Sequence, residues 1–139
     1  MAQATSLSVR RLFTKPKSKA YDQLRWGKRD SIITNPLSNK PVFEQKGVDF
    51  PDGWSLNAIN IVAQKYFTGT PGSPSREASL KTLINRVVDT ITREGTQGGY
   101  FTSEIEAEDF REELKYILAT QRAAFNSPVW FNIGAHGRS

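Results

Sequence analysis

The sequence predicts a mainly α-helical fold: a small domain of about three amphipathic helices, with short extended pieces at 31–50 and a strand at 129–133. Two observations support this fold class. Apolar residues recur every three or four positions over much of 55–126, which is the period of a helix that buries one face. Glycine and proline fall mostly between these segments, where turns are expected. The 139 residues suffice for one domain.

The excess positive charge lies in the first fifty residues. They hold ten Lys and Arg against four Asp and Glu, and positions 1–20 hold five basic residues and no acidic one. We therefore predict a disordered basic leader over 1–20 and a folded domain over 21–139. Such a leader contacts phosphates, stays solvated without a specific role, or serves as a transit peptide. The second interpretation is favoured and the third ranks lowest.

Residues 31–50 are the candidates for extended structure. Ser31–Thr34 is rich in β-branched residues and ends at Asn35-Pro36, which is a turn signal. Residues 41–45 and 47–50 mix apolar and polar side chains at short range. This pattern predicts short extended pieces or a small hairpin.

Three helices follow, each opened by a hydroxyl residue that can cap the first turn. Gly95 stands where a C-terminal cap of the second helix is expected. Ser103 and Glu106 have the spacing of a capping box at the start of the third. The predicted ranges are 55–67, 75 or 79 to 94, and 103–126.

Six acidic residues crowd the start of the third helix, between positions 104 and 113. They could form a carboxylate site. Acids in the first turn of a helix are favoured by its dipole, so a solvated polar face is the preferred interpretation. The acids are Glu104, Glu106, Glu108, Asp109, Glu112 and Glu113.

The densest string of aromatic, amide and hydroxyl residues is Ala124–Gly134. Pro128 disfavours helical geometry in the residue before it, so the third helix should end there. Val129–Ile133 then predicts a buried strand, whose backbone needs hydrogen-bonding neighbours. Asn126 and Ser127 place an amide and a hydroxyl at this junction. They either bind a phosphate or ribose hydroxyl or merely stop the helix, and spacing leaves both possibilities open.

Several kinds of chemistry find no support in the sequence. The chain has no cysteine, so it holds neither a disulfide nor a catalytic thiol. His136 is the single histidine, which makes a metal site or a Ser/His/Asp arrangement unexpected. No apolar run reaches the length of a membrane span and no signal peptide is evident. We predict a cytoplasmic protein with no metal site and no catalytic residue of its own.

Four segments together resemble the N-terminal region of class II ribonucleotide reductases, the adenosylcobalamin-dependent enzymes. They are Trp54-Ser55, Ile61–Phe67, Gly98–Phe101 and, most specifically, Ala124–Asn132. The resemblance runs in order over roughly residues 40–134. It implies a radical enzyme that reduces ribonucleotides to deoxyribonucleotides, with adenosylcobalamin generating a thiyl radical inside an α/β barrel. The Asn-Ser-Pro segment would begin the first barrel strand.

The same resemblance assigns substrate binding to Ser127, with Asn126 beside it. The family's catalytic cysteines and its cobalamin-binding part would lie outside this chain, so we expect the chain to be inactive alone. It would need the remainder of the reductase as its partner, being a split subunit, a truncation at the first barrel strand or a remnant. The resemblance implies a ribonucleoside-diphosphate reductase, although a triphosphate substrate stays open.

A second hypothesis for the function of this sequence involves no catalysis. The chain would then be a helical module whose basic tail binds nucleic acid or another acidic partner. Salt-sensitive binding that is lost on deletion of residues 1–20 would indicate it. Core packing explains the aromatic residues better than base stacking, so nucleic acid is not the favoured partner.

Overall fold

In a computed structural model, residues 8–135 are described, and within them four α-helices pack on a two-stranded antiparallel sheet. The mainly α prediction is therefore only partly correct, because the sheet is a substantial part of the domain. The elements are a 3-10 turn (Ala20–Gln23), β1 (Trp26–Thr34), β2 (Pro41–Pro51), α1 (Leu56–Ile61) with a π-helical continuation (Val62–Tyr66), α2 (Leu80–Gln97), α3 (Glu104–Ala119) and α4 (Ser127–Asn132).

The extended pieces form one hairpin, which is longer than predicted. β1 and β2 pair from Trp26 opposite Pro51 to Thr34 opposite Pro41, with a register shift between Arg29 and Ser31. Alternation along β2 turns Val48 and Phe50 into the core. Before the hairpin, a short 3-10 turn ends at Gln23, and β1 begins three residues later at Trp26.

The core forms a single cluster between the hairpin and the helices. α2 supplies its centre, because one apolar stripe of that helix faces inward along its length. Phe50 lies against Phe67, with the two ring centroids 5.9 Å apart. The buried members are Val48, Phe50, Ile59, Val62, Ala63, Phe67, Leu80, Leu83, Ile84, Val87, Val88, Leu118, Ala119 and Trp130.

The predicted helix starts are confirmed by their caps. The Ser55 side chain accepts from the backbone N–H of Ala58, and Ser79 accepts from that of Lys81. Ser103 accepts from the N–H of Glu106 at 3.3 Å, which is one of the two bonds of a capping box, while the Glu106 carboxylate accepts from the backbone N–H of Val9. Hydroxyl caps satisfy N–H groups that have no partner inside the helix, and this explains why the helix starts could be predicted from the sequence.

Two predicted helix ends are wrong. α2 passes through Gly95 and ends at Gln97. Gly95 is a packing position and not a cap, because a Cβ there would lie 2.7 Å from the Phe101 ring. α3 ends at Ala119 instead of 126. Gln121 adopts φ 60°, and the indole N–H of Trp54 donates to the Ala119 carbonyl at 2.9 Å.

The predicted strand at 129–133 is also wrong, since Ser127–Asn132 is a short helix. Pro128 lies in its first turn, where the fixed φ of proline suits a helix and no N–H is required. Trp130 is buried and Ile133 packs on the core cluster three positions later, which is helical spacing. The backbone of this segment therefore needs no neighbouring strand.

Residues 8–20 fall within the predicted leader, and the structure describes them. These residues lie against α3 and the 3-10 turn and make specific hydrogen bonds to α3 carboxylates. Residues 1–7 of the predicted leader, and His136, lie outside the described part. The boundary between leader and domain at position 20 stays a prediction. No helix within 8–135 combines the length and the hydrophobicity that a bilayer crossing requires.

Candidate functional site

The Asn126-Ser127 junction lies at the start of α4. Asn126 is the N-cap, with φ −72° and ψ 164°, and its carbonyl accepts from the N–H of Val129 at 3.1 Å. Its amide side chain is exposed and makes no capping hydrogen bond. The amide therefore keeps its donors and acceptor available at the surface.

Ser127 meets a hydroxyl from another part of the chain. Its Oγ lies 3.0 Å from the Oη of Tyr66, and either atom can be the donor. Tyr66 is the last residue of the π-helical continuation of α1. A serine hydroxyl has one donor and two acceptor positions, so this contact leaves further capacity for a ligand.

Aromatic rings hold this corner of the domain together. The Tyr66 ring lies 5.4 Å from the Phe131 ring and 6.3 Å from the Trp130 ring, measured between centroids. Phe125 packs edge-on against Trp130 at 5.4 Å. Pairs at such distances add a modest stabilisation beyond their buried area.

A cavity of about 320 Å³ adjoins the junction on the core side. Trp54, Tyr66, Phe125 and Trp130 contribute aromatic walls, and Gln121 is a polar residue of its lining. Tyr66 therefore connects the cavity with Ser127. An apolar cavity with few polar groups is suited to a flat or aliphatic group rather than to a charged one.

Sequence reasoning missed the role of the α3 acids and their contact with residues 8–20. Glu112 and Glu113 are buried, not part of a solvated face. Glu112 accepts from the backbone N–H of Ala20 at 2.8 Å, and Glu113 accepts from that of Thr14 at 2.9 Å. The signal available in the sequence was charge complementarity, because an acid-free basic stretch faces a cluster of six acids.

Two leader cations are paired with α3 as well. Arg11 Nε lies 2.6 Å from Asp109 Oδ1, and Lys19 Nζ lies 2.6 Å from Glu108 Oε1. The hydrogen bond from Lys19 is the largest of the effects that hold the pKa of Glu108 below its ordinary value. These pairs use charges that a phosphate-binding leader would need to present to its ligand.

Comparison with known proteins identifies the class. The family described as class II vitamin B12-dependent ribonucleotide reductase matches residues 27–121. Vitamin B12-dependent ribonucleotide reductases of Streptomyces avermitilis and Streptomyces coelicolor are 48% and 49% identical to the chain over 95% and 92% of its length. That of Rhodopirellula baltica is 40% identical over 81%.

The chain belongs to the class II vitamin B12-dependent ribonucleotide reductase family. It is an N-terminal region of such a reductase and spans only 14% and 13% of the length of the two Streptomyces relatives. This confirms the family resemblance of the sequence. The family match ends at Gln121, before α4, whereas the relatives align over most of the chain.

The family name implies cobalamin, and the candidate site does not fit it. Among them, no three His, Cys, Asp or Glu side chains come together in a way that could hold a metal ion. The cavity beside Tyr66 offers almost no polar partners for the amide-fringed corrin ring. We therefore assign no reaction step to the cofactor within residues 8–135.

Proposed function

We propose that this chain is the N-terminal part of an adenosylcobalamin-dependent ribonucleotide reductase, which converts ribonucleotides to deoxyribonucleotides. Its membership of the family supports this activity. Because the sequence has no cysteine, the thiol chemistry would be carried by the remainder of the reductase, in the same or a separate polypeptide. The chain alone would be inactive, and its place of action would be the cytoplasm.

Within this chain we propose that Ser127 and Asn126 contact the ribonucleotide. The observation that carries the proposal is the Ser127 hydroxyl, which is half-buried and held by Tyr66 from one side. If Tyr66 donates to Ser127 Oγ, the serine proton is free to be donated to a phosphate or ribose oxygen. Asn126 is the preceding residue, and its exposed amide can supply further donors.

The role proposed for these two residues is binding and orientation. A hydrogen bond from a neutral hydroxyl to a charged phosphate contributes about 1.5–3 kcal/mol, which corresponds to about a 10- to 150-fold change in affinity. Holding the nucleotide in one orientation also makes the subsequent radical step more probable. No proton transfer or covalent step is assigned to either residue.

The test uses the chain together with the cysteine-bearing remainder of the reductase. We expect Ser127→Ala to weaken ribonucleotide binding at least about 10-fold and to lower cobalamin-dependent reduction accordingly. Ser38→Ala is the matched control, since Ser38 is an exposed residue between β1 and β2. Wild-type affinity and turnover in Ser127→Ala would refute the site assignment, while absence of reduction in the wild-type assembly would refute the activity.

A further inference from the structure

Arg86 of α2 is a buried cation whose bonds converge on the candidate site. Its side chain is 9% exposed, and that of its partner Glu77 is 6% exposed. Arg86 Nε donates to Glu77 Oε2 at 3.1 Å, and Glu77 Oε1 also accepts from the backbone N–H of Thr68 at 2.8 Å. The carboxylate therefore fixes the orientation of the guanidinium plane.

The Nη1 and Nη2 groups of the guanidinium bind the end of α4. Arg86 Nη1 donates to the Ile133 carbonyl at 2.7 Å, and Nη2 donates to the Trp130 carbonyl at 2.9 Å. The last carbonyls of a helix have no partner inside it, and α4 has only six residues. Arg86 thus supplies the cap that a short helix needs to keep its position.

The same guanidinium also contacts the segment that carries Tyr66. Nη2 lies 3.3 Å from the Tyr66 carbonyl, at the end of the π-helical turn. The Arg86 guanidinium therefore holds both backbone segments, the one that carries Tyr66 and the one that carries Ser127. Small displacements of either backbone would separate two hydroxyls that lie 3.0 Å apart.

We propose that Arg86, oriented by Glu77, is a positioning residue for Ser127, and that Tyr66 is the hydroxyl that directs the Ser127 proton toward the nucleotide. This inference rests on the proposed substrate contact of Ser127. Arg86 itself touches no substrate: it acts by fixing the relative placement of Tyr66 and α4. An arginine is required at this position, because its planar guanidinium has several N–H donors in fixed directions. A lysine ammonium group cannot bond the Glu77 carboxylate and the backbone carbonyls at the same time.

A purely structural role for Arg86 makes a different prediction. If Arg86 only stabilised the fold, its loss would affect nucleotide binding equally whether or not Ser127 has a hydroxyl. If it acts through Ser127, the effect disappears once that hydroxyl is gone. A double-mutant cycle separates the two cases, since coupling appears only between residues that act on one another.

The test measures ribonucleotide affinity in the completed reductase for Tyr66→Phe, Arg86→Lys, and each of these combined with Ser127→Ala. Tyr66→Phe keeps the ring and removes one hydroxyl, so it is expected to fold. We expect it to weaken binding about 3- to 10-fold, the range for one neutral hydrogen bond. Arg86→Lys should weaken binding at least as much, and neither change should matter in the Ser127→Ala background.

Arg29→Lys is the matched control. Arg29 is a half-buried arginine that donates to a backbone carbonyl, that of Trp54 at 3.0 Å, but it makes no hydrogen bond to α4 or to the segment that carries Tyr66. Binding close to that of the wild type in this variant, together with coupling at Tyr66 and Arg86, supports the inference. Additive losses, or an equal loss in Arg29→Lys, overturn it. An unchanged affinity in Ser127→Ala instead overturns the substrate contact on which the inference rests.

Discussion

Glu113 makes the most concentrated set of hydrogen bonds between α3 and the leader residues. Its carboxylate accepts from the backbone N–H of Phe13 at 3.0 Å, from that of Thr14 at 2.9 Å, and from the Thr14 hydroxyl at 2.6 Å. The change Glu113→Gln leaves one acceptor oxygen for three donors and adds an amide donor that faces them. Buried donors without a partner are costly, so the leader should detach more readily.

The size of the effect follows from these contacts. A hydrogen bond to a charged group contributes about 1.5–3 kcal/mol, and the glutamine oxygen retains part of the set. We expect a loss of about 2–3 kcal/mol, which raises the detached population about 30- to 150-fold.

Hydrogen exchange of the Phe13 and Thr14 amides measures this population directly, because these amides are the donors. Glu104→Gln is the matched control, since Glu104 is an exposed acid in the first turn of the same helix. Exchange rates of the two amides that are unchanged in Glu113→Gln would refute this account of leader attachment.

Three further predictions follow from the same structure. Burial raises the pKa of Glu113, but the hydrogen bonds from Thr14 and Phe13 outweigh it and hold the pKa below the ordinary 4.5. The Phe13 and Thr14 amides should therefore stay protected from exchange above about pH 4.5, and they should lose this protection as the pH falls through the lowered pKa of Glu113 in the folded state. Hydrogen exchange corrected for intrinsic rates measures this loss. Gly134→Ala should cost at least about 1 kcal/mol more in urea unfolding than Gly72→Ala, because both have positive φ but only at Gly134 would a Cβ collide with α2; equal losses would contradict this. Phe50→Ala, at 1% exposure, should lose about 3–5 kcal/mol in thermal unfolding, whereas a comparable loss in Val42→Ala, at 60% exposure, would show that burial is not the cause.

The helix starts were predictable because the chemistry that sets them is local. A serine before an apolar periodic segment satisfies an N–H group two or three residues away, and such serines are visible in the sequence at Ser55, Ser79 and Ser103. The ends were not predictable in the same way. α3 stops where Trp54, which lies far away in the chain, bonds to the carbonyl of Ala119.

The error at α4 has a definite physical origin. A short apolar run fits either a buried strand or one side of a short helix, and periodicity alone does not separate them. The deciding contacts are the bonds from Arg86 to the carbonyls of Trp130 and Ile133, which lie more than forty residues from their donor. The π-helical turn at 62–66 was likewise not predicted, since no residue pattern in this segment indicates one.

The candidate site was found in part. Asn126 and Ser127 were singled out from the sequence, and the structure places them at the start of α4. Tyr66 was not singled out for the site, because its hydroxyl reaches Ser127 only when the π-helical continuation of α1 packs against α4. The substrate contact itself stays a prediction.

The separation between the leader and its acceptors bears on how the chain acquires its structure during synthesis. Thr14 donates to Glu113, which is synthesised 99 residues later. At typical ribosomal speeds this interval is on the order of ten seconds. Through that time the early segment lacks its carboxylate acceptors, so it can attach only after α3 has been synthesised.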